Sequence, residues 1–339
     1  MIFTPSKSNP IIKPNPKIPW ASLATYNPTV LYENKTYHLF YRAVGKTFIS
    51  QIGHAISKDG VNFKTKNIPT LSPKLDIEKN GVEDPRITRI NTTYFLTHTA
   101  YDKKSARLCL ATSRDLLNWS HHGLMLPDWN FKKAKGFIVK WDIAQNTTEA
   151  KTDWSKAGGI IPAKIKNRYW MLFGDRNIWL ATSKNGIKWQ AILKPFLKPR
   201  PNNFDNIHIE MGPPPIKTKS GWLVLYHGIN KNKTYQLGYI LLDLKNPTKI
   251  IHRSNQPIFS PIEAIKLPGF VDIITGGKAI INTMNKKKIK NFLLKNKMPE
   301  VVFCNGAVLV KDTLRIYYGI NDTYIGTATA KLKDILNSK

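Results

Sequence analysis

Cysteine is scarce in this sequence, and long hydrophobic runs are absent. Only Cys109 and Cys304 occur among 339 residues, so a disulfide framework is not expected and a reducing compartment is favoured. No apolar run approaches the length that crosses a bilayer, and the first residues lack the apolar core of a secretory signal. We therefore expect a cytoplasmic protein without a membrane span.

Acidic residues are also few, because 22 Asp and Glu stand against 52 Lys and Arg and leave a net charge of +30. Such a charge suits a nucleic-acid partner or an anionic surface. However, the lysines are spread over the chain, apart from one cluster between Lys286 and Lys297, and no zinc-finger, RNA-binding or helix-turn-helix pattern accompanies them. We predict no specific nucleic-acid partner, and we expect attraction for anionic substrates or phosphate.

Several motifs that carry cofactor or nucleophile chemistry are missing. The sequence has no HExxH, P-loop, Rossmann glycine pattern or serine nucleophile elbow. Its histidines do not have the spacing of metal ligands. We therefore predict neither a metal nor an organic cofactor.

What the chain does contain is a pattern that returns five times: a strand, a polar turn, an aromatic strand, a loop and a third strand. The copies begin near Asn27, Glu83, Gly158, Gly212 and Asn305. One such sheet cannot bury both of its faces, whereas radial stacking of the copies buries them and leaves few open edges. The pattern predicts an all-β fold, a five-bladed β-propeller.

We expect this propeller to form a single domain over residues 1–339, with residues 1–20 as an extended, proline-rich lead-in. The repeats are unevenly spaced, which predicts insertions at Asp128–Trp154, Lys194–His208 and Phe259–Val302. Long loops on one rim of a rigid scaffold are common places for binding sites.

Polar residues stand where the first strand of each repeat begins. The most prominent stretch is Gly81–Arg86, in which Glu83 and Asp84 precede Pro85. The proline is expected to hold Asp84 in an extended conformation. Comparable strand ends carry Asn27, Arg42, His98, Asp175, Glu210, His227 and Asn305. In a propeller these ends converge on one mouth, so the pattern favours a functional site over a set of turn residues.

Paired carboxylates from different repeats can act as acid and base on a glycosidic bond. Inverting glycosidases hold the two groups roughly 6.5–9.5 Å apart, which leaves room for the attacking molecule. Tyr101, Trp141 and Trp179 are candidate aromatic platforms for a sugar ring.

Five stretches, in order along the chain, resemble glycoside hydrolase family 130. They are Gly81–Arg86, Gly212–Ile216, Tyr226–Gly228, Leu241–Leu244 and Tyr317–Asp322. The resemblance runs from about Asn27 to the C-terminus. It implies a five-bladed β-propeller and an inverting enzyme of β-mannosides, because the family contains phosphorylases, β-1,2-mannosidases and related β-1,2-mannosyltransferases.

The resemblance also implies roles for individual residues. Asp84 matches the proton donor, which in the phosphorylases acts through a sugar hydroxyl while phosphate is the nucleophile. The expected substrate-binding residues are Asn27, Arg42, Glu83, Arg86, Asp175, Asn305 and Asp322. Lys156, His227 and Tyr235 match part of the phosphate site of the phosphorylases.

Two positions depart from the phosphorylase pattern. The chain has Gly174-Asp175 where phosphorylases carry a His-Arg pair, and glycine cannot replace a bidentate arginine contact to phosphate. Glu210 is an acid where phosphorylases usually have none, so it is a candidate base that would repel phosphate. Against this, His227 is retained, and Asn305 stands where the hydrolases carry an acid.

These signals favour an inverting hydrolase of β-1,2-linked mannose, with Asp84 as acid and Glu210 as base. The alternatives are a β-1,2- or β-1,4-mannoside phosphorylase that releases mannose 1-phosphate, and a related β-mannosyltransferase. A non-catalytic sugar-binding propeller is the alternative from another class. The expected partner is a mannose-containing oligosaccharide, with phosphate as co-substrate if the enzyme is a phosphorylase. Association into a homo-oligomer is left open.

Overall fold

The computed structural model describes residues 2–130, 154–231, 234–261 and 301–338. Within these ranges nearly all regular structure is β-strand. The exceptions are the five-residue helix α1 (Leu332–Leu336) and two 3-10 turns at Pro19–Ala21 and Asp76–Glu78. No helix in the described ranges has the length and apolar character needed to cross a membrane. The all-β prediction is confirmed.

The strands are short and follow the repeats found in the sequence. Their bounds are β1 Thr4–Pro5, β2 Ala24–Glu33, β3 Thr36–Val44, β4 Ser50–Ser57, β5 Lys64–Thr65, β6 Gly81–Ile90, β7 Thr93–Tyr101, β8 Ala106–Ser113, β9 Ser120–Leu124, β10 Gly159–Ile160, β11 Tyr169–Phe173, β12 Trp179–Ser183, β13 Gln190–Ala191, β14 His208–Met211, β15 Ile216–Thr218, β16 Gly221–Ile229, β17 Tyr235–Leu242, β18 Ile250–Arg253, β19 Val302–Val310, β20 Thr313–Ile320 and β21 Tyr324–Lys331.

Each repeat forms its own antiparallel sheet of consecutive strands. The first two repeats, β2–β5 and β6–β9, are joined by one parallel pair between Ser50 and Gly81. The third repeat contains β10–β13 and the fourth β14–β18. The fifth contains β19–β21, and β1 from the lead-in pairs with β21 to complete its sheet. The first and last segments of the chain are therefore held together in one sheet.

Prolines shorten the first strands of the third and fourth repeats. Strand β10 ends at Ile160, ahead of Pro162. In the fourth repeat β14 and β15 both pair with β16 and are separated by Gly212–Pro215. Proline has no N–H to donate to a strand ladder, which explains both interruptions.

Five hydrophobic clusters fill the spaces between successive repeats. Phe40 and Val82 belong to the cluster between repeats one and two. The cluster between repeats two and three contains Leu108 and Met171, and the one between three and four contains Leu172 and Trp222. Leu225 and Ile316 pack between repeats four and five, and Leu39 and Tyr317 pack between five and one. The contacts therefore return to the first repeat.

The first strand of three repeats is interrupted at the same place. The pairing register shifts between Tyr26 and Thr29 in β2, between Glu83 and Arg86 in β6, and between Phe303 and Gly306 in β19. Such bulges kink the strand and change the direction in which a side chain points. The residues within them are Asn27-Pro28, Asp84-Pro85 and Cys304-Asn305.

The bulge overturns one local expectation. Asp84 has φ 50° and so adopts the left-handed conformation, not the extended one expected before a proline. Asn27, at the equivalent position of β2, has φ 47°. Asn and Asp tolerate this region better than other non-glycine residues, which accounts for the residue types at both positions.

Candidate active site

Arg42 joins the two neighbouring carboxylates of β6. Its Nη2 donates to Glu83 Oε1 at 2.6 Å, and its Nη1 donates to Asp84 Oδ1 at 3.3 Å. Its Nε donates to Ser50 Oγ at 2.9 Å, and that hydroxyl donates to Glu83 Oε1 at 3.2 Å. The Asp84 side chain is still 15% exposed, so it remains within reach of a substrate.

Asn27 holds Asp84 from the first repeat. Its Nδ2 donates to Asp84 Oδ1 at 2.8 Å, while its own Oδ1 is buried without a hydrogen-bond partner. Gly319 lies against this amide, because a Cβ at that position would come within 2.6 Å of Asn27 Oδ1. The lack of a side chain at Gly319 therefore makes room for the group that orients Asp84.

The two acids, which we call the Asp84 pair, have pKa values moved in opposite directions. Burial raises the pKa of Glu83, and the effect of burial is larger than the opposing effect of the Arg42 charge. Burial also favours the neutral form of Asp84, but Arg42, the hydrogen bond from Asn27 and the cations Arg86 and Lys156 together lower its pKa. Asp84 therefore keeps its charge to lower pH than Glu83 does.

A second pair of carboxylates, Asp175 and Glu210, is called the Glu210 pair. Asp175 and Glu210 are bridge partners, and the N–H of Met211 donates to the carbonyl of Gly174 at 3.1 Å. Directly opposed residues place their Cβ atoms about 4.5–5.5 Å apart, so two like charges there repel. Both residues are only 8% exposed.

Burial and the charge of Asp175 raise the pKa of Glu210 to about 8. Lys156 and Arg86 act in the opposite direction but do not cancel the effect. At neutral pH Glu210 is therefore mostly a neutral acid that can donate a hydrogen bond.

Lys156 is the cation that both pairs share. Burial lowers the pKa of its ammonium, but Asp175, Glu210, Asp84 and Glu83 together raise it above the usual value. The lysine carbonyl accepts the N–H of Gly174 at 2.9 Å, which places its backbone beside Asp175. Lys156 therefore stays charged where the two pairs meet.

Arg86 links the second repeat to the fourth. Its Nε donates to the carbonyl of Gly212 at 2.8 Å, its Nη2 to that of Met211 at 2.7 Å and its Nη1 to that of Asp84 at 3.2 Å. The residue is 2% exposed. Its predicted contact with substrate stays a prediction. Its bonds to backbone carbonyls tie β6 to the segment that follows Glu210.

His227 and Asn305 are fully buried next to this region. His227 Nε2 accepts the N–H of Cys304 at 2.8 Å, and burial lowers the pKa of the imidazole to about 3. The ring is therefore neutral, with its proton on Nδ1, and Nδ1 is buried without a hydrogen-bond partner. Both polar atoms of the Asn305 amide are also buried without partners. Unpaired buried groups cost stability, so these atoms are candidates for ligand contacts.

The remaining predicted residues have different surroundings. Tyr235, Asp322 and Tyr101 are half-buried, and Tyr235 lies 6.4 Å from the Phe303 ring. Trp179 is a core residue packed 4.9 Å from Trp129, so its suggested role as a platform is wrong. Trp141, the Lys286–Lys297 cluster and most of the insertions at Asp128–Trp154 and Phe259–Val302 lie outside the described residues.

His98 does not join the ring of polar residues that the sequence suggested. Its Nε2 lies 2.8 Å from Glu78 Oε1, within the interior of the second repeat. Sequence reasoning missed Ser50, and it left His208 as a structural or sugar-contacting histidine. Ser50 bridges Arg42 and Glu83, and His208 accepts the N–H of Arg176 at 3.1 Å beside Asp175. Both stand at the first position of a strand, which is the only signal that marked them.

The chain was compared with protein families and with solved structures. Residues 7–289 match the glycoside hydrolase family 130 model, which is described as β-1,4-mannooligosaccharide phosphorylase. A 1,2-β-oligomannan phosphorylase of Thermoanaerobacter sp. (strain X514) is 33% identical over 96% of both chains. A β-1,2-mannobiose phosphorylase of the same strain is 32% identical over 98% of both chains.

A solved structure is 26% identical, with a TM-score of 0.76 over 98% of this chain and 94% of that chain. Its description states that this family of mannoside phosphorylases also contains glycoside hydrolases, which target β-1,2 mannosidic linkages in Candida mannan. The family model covers most of the sequence, and the two phosphorylases align over almost its whole length. The chain therefore belongs to glycoside hydrolase family 130.

Proposed function

We propose that this protein is an inverting phosphorylase of β-1,2-linked mannosides that releases mannose 1-phosphate. The observation that carries the proposal is the 33% and 32% identity, over nearly the whole chain, to two phosphorylases of β-1,2-linked mannose. These relatives support the phosphorylase alternative better than the hydrolysis that the sequence favours. Inorganic phosphate is the proposed co-substrate.

We also propose that the five repeats form a five-bladed β-propeller. The support is the cyclic order of the hydrophobic clusters, in which every repeat packs against two neighbours and the fifth packs against the first. The pairing of β1 with β21 would join the two chain ends within one blade. A cytoplasmic location is proposed from the two free, buried cysteines.

We assign the phosphate site to Lys156, His227 and Tyr235, the residues that the family resemblance implies. Lys156 supplies a buried positive charge, and His227 has an Nδ1–H without a partner. Glu210 was expected to repel phosphate, but with a pKa of about 8 it is mostly neutral at pH 7. A neutral carboxylic acid can donate to a phosphate oxygen, so Glu210 is compatible with the anion.

In the proposed reaction a phosphate oxygen attacks the anomeric carbon of the β-mannosyl unit on the face opposite the leaving group. The bond between that carbon and the glycosidic oxygen breaks, and the leaving oxygen takes up a proton. We assign the delivery of this proton to Asp84, acting through a sugar hydroxyl as in the family pattern. Because Asp84 is charged in the free protein, it takes up a proton when the sugar binds. It then gives this proton to the sugar hydroxyl as that hydroxyl gives its own proton to the leaving oxygen, and Asp84 ends as the carboxylate that Arg42 and Asn27 stabilise.

The rival proposal is an inverting hydrolase in which Glu210 activates water. The observation in its favour is the Glu210 pair itself, since a second carboxylate is what such a mechanism needs. A general base must be ionised, so hydrolysis would increase as the pH rises through about 8, the pKa of Glu210.

The experiment is incubation of the protein with β-1,2- and β-1,4-mannobiose, with and without phosphate, followed by identification of the products. Mannose 1-phosphate formed only when phosphate is present, from the β-1,2-linked substrate, supports the proposal. Free mannose formed at the same rate without phosphate would establish the hydrolase. Asp84→Asn separates either enzyme from a sugar-binding propeller, because only an enzyme loses turnover while sugar binding remains.

A further inference from the structure

Metal-binding atoms of three different kinds meet inside the second repeat, away from the two carboxylate pairs. One donor atom each from Glu78, His98 and Cys109 lies within 4.8 Å of the others, and all three residues are fully buried. His121 Nδ1 lies 3.4 Å from Glu78 Oε2, and the His121 side chain is 6% exposed. The set therefore combines a carboxylate, a thiol and two imidazoles in a dry interior.

The four residues come from four separate elements. Glu78 ends the 3-10 turn before β6, and His121 lies in β9. His98 in β7 and Cys109 in β8 are direct cross-strand partners. These residues are 11 or more positions apart in the sequence, and only the pairing of the strands brings them together. The short spacings typical of metal ligands are therefore absent.

The carboxylate is already held in a fixed orientation. Glu78 Oε2 accepts the N–H of Lys74 at 2.9 Å and that of Leu75 at 3.2 Å, and Glu78 Oε1 lies 2.8 Å from His98 Nε2. In contrast, the Nδ1 atom of His98 is buried without a hydrogen-bond partner. Hydrogen bonds from the backbone to a ligating carboxylate are what orients it in many metal sites.

We propose that Glu78, His98 and Cys109 bind a zinc ion, with His121 as the fourth ligand. Thiolate, imidazole and carboxylate are the donors that zinc takes, whereas magnesium and calcium prefer oxygen alone. Zinc lies about 2.0–2.3 Å from such ligands, so binding opens the contact between Glu78 Oε1 and His98 Nε2 from 2.8 Å to about 3.3 Å. The thiol proton of Cys109 leaves to solvent, and the proton that His98 Nε2 shares with Glu78 is replaced by one on Nδ1, so the imidazole stays neutral.

The role of this site is structural. It ties the turn that carries Glu78 to β7 and β8, and that turn leads directly into β6 with Glu83 and Asp84. The inference is independent of the proposed function, because it concerns metal content and not turnover.

The test uses the full-length protein, treated with a chelator, supplied with zinc and then desalted. We expect about one zinc per chain by elemental analysis, and a melting temperature several degrees above that of the chelated protein. Cys109→Ser and His98→Gln are expected to lose most of the zinc. Cys304→Ser, which changes the other fully buried cysteine, is the matched control and keeps it.

Cobalt loading gives a second readout that does not depend on the stability of a variant. The wild-type protein is expected to show a thiolate-to-cobalt charge-transfer band in the near ultraviolet, and Cys109→Ser is expected to lack it. The proposal is overturned if the wild-type protein holds no more zinc than Cys109→Ser and shows no such band. Glu78 and His98 would then be a buried Glu–His pair without a metal. Equal loss of zinc in Cys304→Ser would overturn it as well.

Discussion

The Asp84 pair and the Glu210 pair both bring two carboxylates together, but their neighbours differ. Arg42 forks between Glu83 and Asp84, and Asn27 adds a hydrogen bond to Asp84. Asp175 and Glu210 face each other in an isolated β-bridge, and Lys156 acts on the charges of both pairs. The pKa of Asp84 is therefore lowered, whereas that of Glu210 is raised to about 8.

This difference shows how one site can keep one acid charged and another neutral at the same pH. Hydrogen bonds from the Arg42 guanidinium and the Asn27 amide favour the charged form of Asp84. Burial opposite the like charge of Asp175 favours the neutral form of Glu210. The charged member suits contact with sugar hydroxyls, and the neutral member tolerates phosphate.

The largest effect is expected from Asp84→Asn. The amide cannot take up or deliver a proton, so turnover should fall by about 10²–10⁴-fold, the usual contribution of acid–base catalysis. Steady-state kinetics with β-1,2-mannobiose and phosphate measures the change. Asp312→Asn removes an exposed acid that contacts Lys331 and serves as control. Unchanged turnover in Asp84→Asn would remove Asp84 from the mechanism.

Arg42→Ala is the next change in expected size. It leaves Glu83 and Asp84 close together without the fork, and removal of one partner from a buried ion pair costs about 3–5 kcal/mol. We expect a lower melting temperature and an Asp84 that ionises at higher pH. Arg42→Lys should recover only part of both effects, because lysine is a point charge and cannot fork. Full recovery by lysine would argue against the forked geometry.

Glu210→Gln should change how stability depends on pH. The pKa of Glu210 is raised in the folded state, so its contribution to stability is complete below about pH 4.5 and is lost as the pH rises towards about 8. The neutral amide does not suffer this loss. The melting temperature of Glu210→Gln, relative to wild type, should therefore rise by several degrees between pH 5 and pH 9. A constant difference would mean that Glu210 is ionised throughout.

Gly319→Ala should have the smallest effect. The added Cβ meets Asn27 Oδ1 at 2.6 Å and displaces the amide that holds Asp84. We expect turnover to fall by roughly 3- to 10-fold, about 1 kcal/mol, with little change in the pH dependence that Glu210 controls. Asn27→Ala removes the same hydrogen bond directly and should change turnover in the same direction. If only Asn27→Ala reduces turnover, the space at Gly319 is not what positions the amide.

Much of the fold could be predicted from the sequence, because the repeats carry their own strand and turn signals. In the first, second and fifth repeats the strands form where the pattern recurs, and their first two elements pair as expected. The bulges could not be predicted, since a shift in register depends on the partner strand. For that reason the conformation of Asp84 was predicted wrongly.

It was harder to predict which residues form the candidate site than to predict where the strands lie. The carboxylates, Arg42 and Asn27 stood out because equivalent strand ends of successive repeats carry polar residues. His98 and Trp179 stood in similar places, yet one joins an interior cluster with Glu78 and the other packs in the core. Which face a side chain takes depends on packing between repeats, and one sequence does not reveal that packing.

The most direct test of the central claim is the rate of phosphorolysis by Glu210→Gln across the pH range. If neutral Glu210 tolerates phosphate, the apparent KM for phosphate in wild type should rise about tenfold per pH unit above the pKa of about 8. Glu210→Gln should keep phosphorolysis and lose that rise, because its amide stays neutral. A variant that makes no mannose 1-phosphate, beside a wild type that releases free mannose faster as the pH increases, would contradict the account.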